Sequence, residues 1–184
     1  MRITKLSIHL SDAQQIAEQV KAELAPACQR VEIAGSIRRQ KETVGDIEIV
    51  CIPVPVLDMF GEPAGDTELD YLLHRLVNLV NRQLEPPTKN GTRYKQFELT
   101  NYHGLKLDLF IANPDNWGII YAIRTGSAEF ARKLVTQRNR GGLLPSDCRV
   151  AGGYIWRGDE QLQTPSEREV LEMCGGWVEP VDRY

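Results

Sequence analysis

The sequence predicts an α+β fold in two parts, and three observations carry the prediction. Amphipathic helical segments are interspersed with short strand-like runs, without an internal repeat. The runs YKQFEL and LKLDLFI flank TNYHG, which is typical of a β-hairpin. Asn113 and Pro114 form a helix-start signal, and we place the boundary there, with one part at residues 1–112 and the other at 113–184.

The elements of the first part follow in order. A helix is predicted from Ser11 to the residue before Pro26, and strands are predicted at 31–34 and 46–52. A loop rich in proline and glycine comes next. A strongly amphipathic helix then opens at Asp66 or Thr67. Its apolar stripe consists of Leu69, Leu72, Leu73, Leu76, Val77 and Val80.

The second part combines helices with a glycine-rich strand region. Two short helices are expected on either side of the TGS tripeptide at 125–127, and strands are expected near RVAGGYIWRGDEQLQ. A final helix is predicted to begin at a capping box of Thr164 and Glu167 and to end at Gly175.

The composition is that of a soluble globular protein. Apolar residues make up 42% and charged residues 26%, and no apolar run approaches the ~20 residues of a membrane helix. The N-terminus lacks the continuous apolar core of a signal peptide, so we expect a cytoplasmic protein. The four cysteines lie far apart in the sequence, which indicates free thiols and no disulfide-linked partner. With no C-x-x-C pair and only three histidines, a zinc cluster is not expected.

Charge is distributed unevenly along the chain. The net charge of −3 argues weakly against nucleic-acid binding. Between residues 93 and 140, however, eight basic residues meet four acidic ones, whereas from residue 141 onward eight acids meet four arginines. Two interpretations stay open: the basic middle segment binds phosphates, or its side chains form a solvated helix face.

Three acidic residues are placed unusually in the predicted strands. Asp46 and Glu48 are two apart and share a strand face, and Asp108 interrupts the apolar run of another strand. Carboxylates projecting together from adjacent strands repel one another unless a cation neutralises them. Oxygen ligands suit Mg²⁺, for which Mn²⁺ can substitute, and two ions ~4 Å apart can clamp a phosphoryl transfer.

A glycine-serine pair precedes the acidic strand. Glycine at 35 allows backbone N–H groups to approach a phosphate closely, and Ser36 adds a hydroxyl donor. Arg39 supplies a planar fork for phosphate oxygens, and Gly45 permits a second close approach. Taken one at a time, Gly-Ser is also typical of a surface turn and D-x-E of a solvated strand edge, so the order of the motifs carries the argument.

In that order, the motifs resemble the palm of family X DNA polymerases, within the nucleotidyltransferase superfamily. The palm motif is GSIRRQKETVGDIEIV, followed by GTRYKQFEL, LKLDLFI, the thumb-like RTGSAEFARKL and the tail TPSEREVLEMCGGWVEPVDR. The resemblance implies a catalytic palm at 1–112, with a mixed or antiparallel sheet flanked by helices. It also implies a small C-terminal α+β thumb at 113–184 that binds nucleotide and DNA.

The resemblance assigns roles to individual residues. The metal-binding catalytic acids would be Asp46, Glu48 and Asp108, the last also accepting or orienting the proton of the primer 3′-hydroxyl. The β- and γ-phosphates would be held by Gly35, Ser36, Arg39 and Gly45. The sugar and base would be bordered by Thr125, Gly126 and Ser127. The DNA backbone would be contacted by Arg93, Lys95, Lys106, Arg132 and Lys133.

The chain departs from the family pattern at several positions. Glu48 stands where polymerases carry aspartate, and its longer side chain shifts the metal geometry. Ile123 and Arg124 replace an aromatic pair that screens the sugar 2′ position; Arg124 could bind a 2′-hydroxyl, bind a phosphate or lie at the surface. Ala131 and Val135 replace residues that contact the base pair and template, which implies low fidelity. A lyase domain is not expected.

The resemblance thus implies DNA-directed nucleotidyl transfer to a primer 3′-hydroxyl, with short-gap filling in DNA repair as the expected role. The partners would be a nucleoside triphosphate and a primer-template or gapped DNA. Two alternatives stay open. One is a transferase of the same superfamily with RNA, a protein or a small molecule as acceptor, or without a template. The other is an inactive nucleic-acid-binding module.

Overall fold

The computed structural model describes residues 7–78, 83–102 and 104–184. Its helices are α1 (Leu10–Leu24), α2 (Gly35–Arg38), α3 (Glu68–Asn78), α4 (Trp117–Thr125), α5 (Ala128–Val135) and α6 (Glu167–Met173). Its strands are β1 (Ile8–His9), β2 (Cys28–Ile33), β3 (Thr43–Val44), β4 (Asp46–Pro53), β5 (Pro55–Leu57), β6 (Pro63–Thr67), β7 (Lys89–Asn90), β8 (Tyr94–Leu99), β9 (Leu105–Ile111), β10 (Cys148–Ala151), β11 (Tyr154–Arg157) and β12 (Glu160–Leu162). Val80, predicted on the apolar stripe of the second helix, lies outside the described residues.

The chain divides into two compact units. The first contains the chain up to Ile33 and residues Glu42–Ile111, and the second contains Ala34–Lys41 and Ala112–Tyr184. The glycine-serine segment therefore belongs to the second unit, although it lies within the first part, 1–112, that the sequence predicts. The assignment of catalysis to one part and nucleotide binding to the other stays a prediction.

The first unit is built on a five-stranded sheet with the strand order β2-β4-β9-β8-β7. β4 and β9 run parallel, and the other neighbouring pairs are antiparallel. The hairpin predicted from the sequence is formed by β8 and β9. The sheet is therefore mixed and flanked by helices, which confirms the predicted α+β class.

One face of this sheet forms the hydrophobic core of the first unit. Because side chains alternate along a strand, this face carries Ile47, Ile49, Phe97, Leu107 and Leu109, each at most 2% exposed. α1 contacts β2 and β4, and α3 lines a cavity together with Phe97. Burying each such side chain contributes about 1.5–3 kcal/mol to the stability of the fold. A shift of one residue in the pairing of a strand would move all of its core side chains to the opposite face of the sheet. The strand register is thereby fixed, and the three acids lie on the opposite face.

The predicted loop after β4 is instead a small hairpin of β5 and β6. The backbone N–H groups of Phe60 and Glu62 donate to Asp58 Oδ1 at 2.8 and 3.0 Å, and Gly61 supplies the positive φ of +83° that the turn requires. Met59 and Phe60 are 89% and 81% exposed at the tip. Sequence reasoning missed the hairpin because prolines and glycines within it are typical of loops.

The first helix begins earlier than the sequence predicts. It starts at Leu10, and the ring of His9 caps it by accepting a hydrogen bond from the backbone N–H of Ser11. A histidine nitrogen can replace a hydroxyl as the acceptor for an orphan N–H group. The N-cap predicted from the capping box of Ser11 and Gln14 is therefore two residues later than the observed N-cap, His9.

The second unit packs helices on a three-stranded antiparallel sheet of β10, β11 and β12. Its core includes Ile119 from α4, Leu134 from α5, Ile155 from β11 and Val170 from α6, each fully buried. The glycine-rich strand region and the helices on both sides of the TGS tripeptide are thus present as predicted. Across the described part of the chain, no helix combines the length and apolar character needed to span a membrane.

The Cys28 thiol is expected to react first with an alkylating reagent. Its hydrogen bond with the Cys51 thiol lowers the pKa of Cys28 against the effect of burial, and Cys28 is half-buried whereas the other three cysteines are buried. Desolvation raises the pKa of Cys174 to about 11. Iodoacetamide at about pH 8, followed by mass spectrometry of the native protein, should therefore label Cys28 well before Cys174.

The labelling experiment has a direct control. Cys28→Ser should remove the fast phase of labelling and leave the slow labelling of Cys148 and Cys174 unchanged. Equal labelling rates for Cys28 and Cys174 in the native protein would contradict the prediction.

Candidate active site

The three predicted catalytic acids lie on the face of the first unit's sheet opposite the core. Asp46 and Glu48 alternate with buried isoleucines on β4, and the parallel register places Glu48 beside Asp108 of β9. All three acids are half-buried. The prediction that neighbouring strands carry the three acids on one face is therefore borne out by the strand pairing.

The donor set fits a hard divalent cation in its chemistry, because it consists of carboxylate oxygens that bind Mg²⁺ or Mn²⁺. Metal binding by the three acids stays a prediction. Within residues 7–78, 83–102 and 104–184, no three His, Cys, Asp or Glu side chains converge closely enough to hold an ion. The backbone register brings the acids to one surface, and their convergence on a common point depends on side-chain torsions that strand spacing alone does not determine.

The carboxylate of Asp108 is already held by two donors. Tyr94 Oη donates to Asp108 Oδ1 at 2.8 Å, and Gln96 Nε2 donates to the same oxygen at 2.7 Å. Both partners lie on β8, directly beside β9. Sequence reasoning did not connect Tyr94 or Gln96 with Asp108, although their alternation along YKQFEL places both on the face of Asp108.

The predicted DNA-binding residues of the first unit lie at different places. Lys106 is exposed and stands in register between Asp46 and Glu98 on the acidic face. Arg93 is exposed just before β8. Lys95 instead lies on the core face, where its Nζ contacts Asp70 Oδ1 at 3.1 Å and Asn90 Oδ1 at 2.7 Å. Its ammonium group is engaged by these partners, which the alternation of β8 could have indicated.

The glycine-serine segment of the second unit opens the short helix α2. Gly35 adopts a φ of +64°, a conformation that favours glycine. Ser36 Oγ is buried without a hydrogen-bond partner among the residues that the structure describes. A buried hydroxyl of this kind is costly unless a ligand or water satisfies it, which accords with the donor role predicted for Ser36. Gly45, in the first unit, is half-buried between β3 and β4.

Two arginines bind the TGS tripeptide of the same unit: Arg38, the last residue of α2, and Arg39, which follows it. Arg39 Nη1 donates to the backbone oxygens of Thr125 at 2.5 Å and of Gly126 at 2.9 Å. Arg38 Nη1 donates to Thr125 Oγ1 at 2.6 Å. Arg39, predicted to bind phosphates, therefore also has a structural role, and the fully buried Thr125 is fixed by both arginines.

The other residues predicted to bind nucleotide or DNA in this unit have contacts that stabilise the fold or are exposed. Ser127 caps α5 by accepting from the backbone N–H of Phe130 at 3.1 Å. A Cβ on Gly126 would lie 2.6 Å from a ring carbon of Phe130, so only glycine fits without a shift. Arg124 is half-buried. On α5, Arg132 is exposed, and Lys133 pairs with Glu129 at 2.8 Å.

A buried ion triad in the second unit was not anticipated from the sequence. Arg38 binds both carboxylate oxygens of Glu167 at 2.7 Å, and Arg183 Nη1 contacts Glu167 Oε1 at 2.5 Å. Arg183 is fully buried and Glu167 is 7% exposed. Burial opposes the charge of Glu167, but hydrogen bonds and charges from the two arginines hold its pKa below the usual value.

The sequence pattern led to a different role for Glu167, as a partner in a helix cap. The structure corrects this: Ser166 is the N-cap of α6, and its hydroxyl accepts from the backbone N–H of Glu169 at 3.3 Å. Glu167 is the first residue of α6, and its buried side chain contacts Arg183. The three members of the triad are far apart in the sequence, and no spacing rule connects them.

No model of a protein family matches the sequence, and no curated protein matches it. Among solved structures, the chain is similar to the polymerase beta of Leishmania infantum in a ternary primer/template complex, with a TM-score of 0.72. The similarity covers 97% of this chain and 77% of that chain at 13% sequence identity. The chain therefore has a fold like that of polymerase beta, with mixed α and β elements as the sequence predicts.

Proposed function

We propose that this protein is a nucleotidyltransferase that extends a DNA primer from nucleoside triphosphates. The observation that carries the proposal is the parallel register of β4 and β9, which places Glu48 beside Asp108 and on the face of Asp46. These acids stand on a sheet whose fold is like that of polymerase beta. Fold alone does not determine activity, so the proposal rests on the acids together with the fold.

Asp46, Glu48 and Asp108 would hold two divalent cations, Mg²⁺ or Mn²⁺. When bound, such ions neutralise charge on the attacking and leaving oxygens of a phosphoryl transfer. The carboxylates supply oxygen ligands for this purpose, and the core side of β4 and β9 keeps their backbone positions rigid.

The proposed reaction is an in-line displacement at the α-phosphorus of the nucleotide. The primer 3′-oxygen forms a bond to the α-phosphorus, the bond to the bridging oxygen breaks, and pyrophosphate leaves. Asp108 accepts the proton of the 3′-hydroxyl. In the second unit, Ser36, the backbone at Gly35 and Arg39 are proposed to bind the β- and γ-phosphates. The buried Ser36 hydroxyl, which has no hydrogen-bond partner among the described residues, supports this role.

DNA binding is proposed to rest on exposed basic side chains. Arg93, Lys106 and Arg132 are exposed and can each pair with a backbone phosphate. Phosphate contacts of this kind release counterions, so we expect affinity for a primer-template to fall steeply as salt is raised. Short gaps are the proposed substrate, and repair is the proposed setting.

Primer extension tests the proposal. Gapped, templated and single-stranded DNA should be compared with deoxyribonucleotides and ribonucleotides, in Mg²⁺, in Mn²⁺ and with a chelator. We expect templated incorporation that requires a divalent cation and is fastest on a short gap. Incorporation that ignores the template would assign a terminal transferase instead, and DNA binding without incorporation under every condition would indicate an inactive binding module.

A further inference from the structure

Two side chains bind the Asp108 carboxylate in the first unit and a third binds one of these two; we call the three the Asp108 cradle (Thr88, Tyr94 and Gln96). Tyr94 Oη and Gln96 Nε2 both donate to Asp108 Oδ1, at 2.8 and 2.7 Å. Gln96 Nε2 also donates to Tyr94 Oη at 3.0 Å. Two donors on one oxygen fix the rotation of the carboxylate as well as its position.

The two donors are themselves held in place. The Tyr94 ring stacks on Phe110 with centroids 5.0 Å apart and an interplanar angle of 14°, and the Lys89 ammonium lies 5.3 Å from the Tyr94 ring centroid. Thr88 Oγ1 donates to Gln96 Oε1 at 2.9 Å. Because an amide has one acceptor side and one donor side, the bond from Thr88 turns the Gln96 NH₂ group toward Asp108.

We propose that Tyr94 and Gln96 are positioning residues for Asp108, an inference that rests on the function proposed above. The cradle occupies Oδ1 and thereby presents the other oxygen, Oδ2, to the cation and to the primer hydroxyl. Partners that orient a metal-binding carboxylate affect affinity and rate although they do not touch substrate. Thr88 acts one step further out, by orienting Gln96.

A positioning role and a purely structural role of the cradle predict different effects of substitution. A structural role would place the effect of substitution on stability, with the affinity for a cation unchanged. A positioning role places the effect on cation affinity and on turnover, with nucleotide binding unchanged. The substitutions that separate these outcomes keep the packing: Tyr94→Phe retains the stack on Phe110, and Gln96→Met retains length without the amide.

The first experiment measures Mn²⁺ binding to the protein alone, without DNA or nucleotide, from the paramagnetic resonance signal of free Mn²⁺. Tyr94→Phe and Gln96→Met should each weaken Mn²⁺ binding about tenfold, within the range usual for partners of a metal ligand. Tyr102→Phe is the matched control, because it removes a hydroxyl that donates to Gln19 at 3.1 Å outside the cradle. It should bind Mn²⁺ like the unsubstituted protein.

The second experiment measures steady-state incorporation on gapped DNA. Tyr94→Phe should lower kcat about tenfold and leave KM for the nucleotide unchanged, since the cradle acts on Asp108 and not on the nucleotide. The double variant should lose less than the product of the two single effects, because both donors act on one oxygen. Thr88→Val, which keeps both donors, should show a smaller loss of the same kind.

The outcomes separate this inference from the proposed function. If the unsubstituted protein extends primers and both cradle variants match it in Mn²⁺ affinity and kcat, the inference is wrong and the proposed function stands. If the protein extends no primer but Mn²⁺ affinity falls only in the cradle variants, the proposed function is wrong and the positioning role stands. If Tyr94→Phe fails to fold, Thr88→Val decides by the same two readouts.

Discussion

Asp108→Asn is expected to lower nucleotide incorporation by about 10³-fold while the protein stays folded, an effect of the size seen when a charge-stabilising group is removed from an active site. The asparagine Oδ1 can still accept from Tyr94 and Gln96, so the contacts of the carboxylate on the sheet are retained. Its second atom becomes an NH₂ donor, which cannot bind a cation or accept the primer proton. Single-turnover primer extension measures the loss.

The control for this substitution is Asp159→Asn, which makes the same chemical change at an exposed turn residue. It should incorporate nucleotides like the unsubstituted protein. The melting temperature and the circular dichroism spectrum of Asp108→Asn should equal those of the unsubstituted protein. Full activity in Asp108→Asn would remove the acidic face from the mechanism, because the face cannot act without the oxygen ligands of Asp108.

Glu167→Ala is expected to destabilise the protein by about 3–5 kcal/mol, which is the usual cost of breaking a buried ion pair from one side. The reason is the fully buried Arg183, which would keep its charge and lose the carboxylate at 2.5 Å. Arg38 would lose a bidentate partner at the same time. Urea denaturation of both proteins at neutral pH measures the free energy of unfolding.

The matched variant is Glu167→Gln, which keeps the shape and one acceptor oxygen but removes the charge. It should cost less than Glu167→Ala at neutral pH. A loss of stability in Glu167→Ala no larger than that of an exposed substitution, Glu172→Ala on the same helix, would contradict the role of the triad.

The triad also predicts a dependence of stability on pH. The pKa of Glu167 is lowered in the folded protein, so its contribution is present above the ordinary glutamate value of 4.5 and is lost as pH falls through the lowered pKa. The unsubstituted protein should therefore lose stability more steeply than Glu167→Gln below about pH 4.5. If the free energy of unfolding falls equally with pH in the two proteins below pH 4.5, Glu167 has the same pKa in the folded and the unfolded state, which would contradict the prediction.

Alternation along strands was enough to predict which face of its own strand each acid occupies, and the pairing of β4 with β9 joins these faces into one. Asp46 and Glu48 are separated by one buried isoleucine, and Asp108 is flanked by two buried leucines, so the core residues dictate where the acids point. The same rule could have placed Lys95 on the core side, where it pairs with Asp70. The hairpin of β5 and β6 was predicted as a loop because its prolines and glycines are typical of loops and its strands show no alternation of buried and exposed residues.

The sequence by itself determined the α+β class of fold and the face of its own strand on which each acid stands. These features follow from local periodicity, which a single chain carries in full. Only the tertiary structure decided which side chains meet across long separations: Arg38 with Glu167, Arg39 with the TGS tripeptide, and Tyr94 with Asp108. The reason is physical, because such contacts depend on how separate elements pack and on which rotamer each side chain adopts, and neither leaves a periodic trace in the chain.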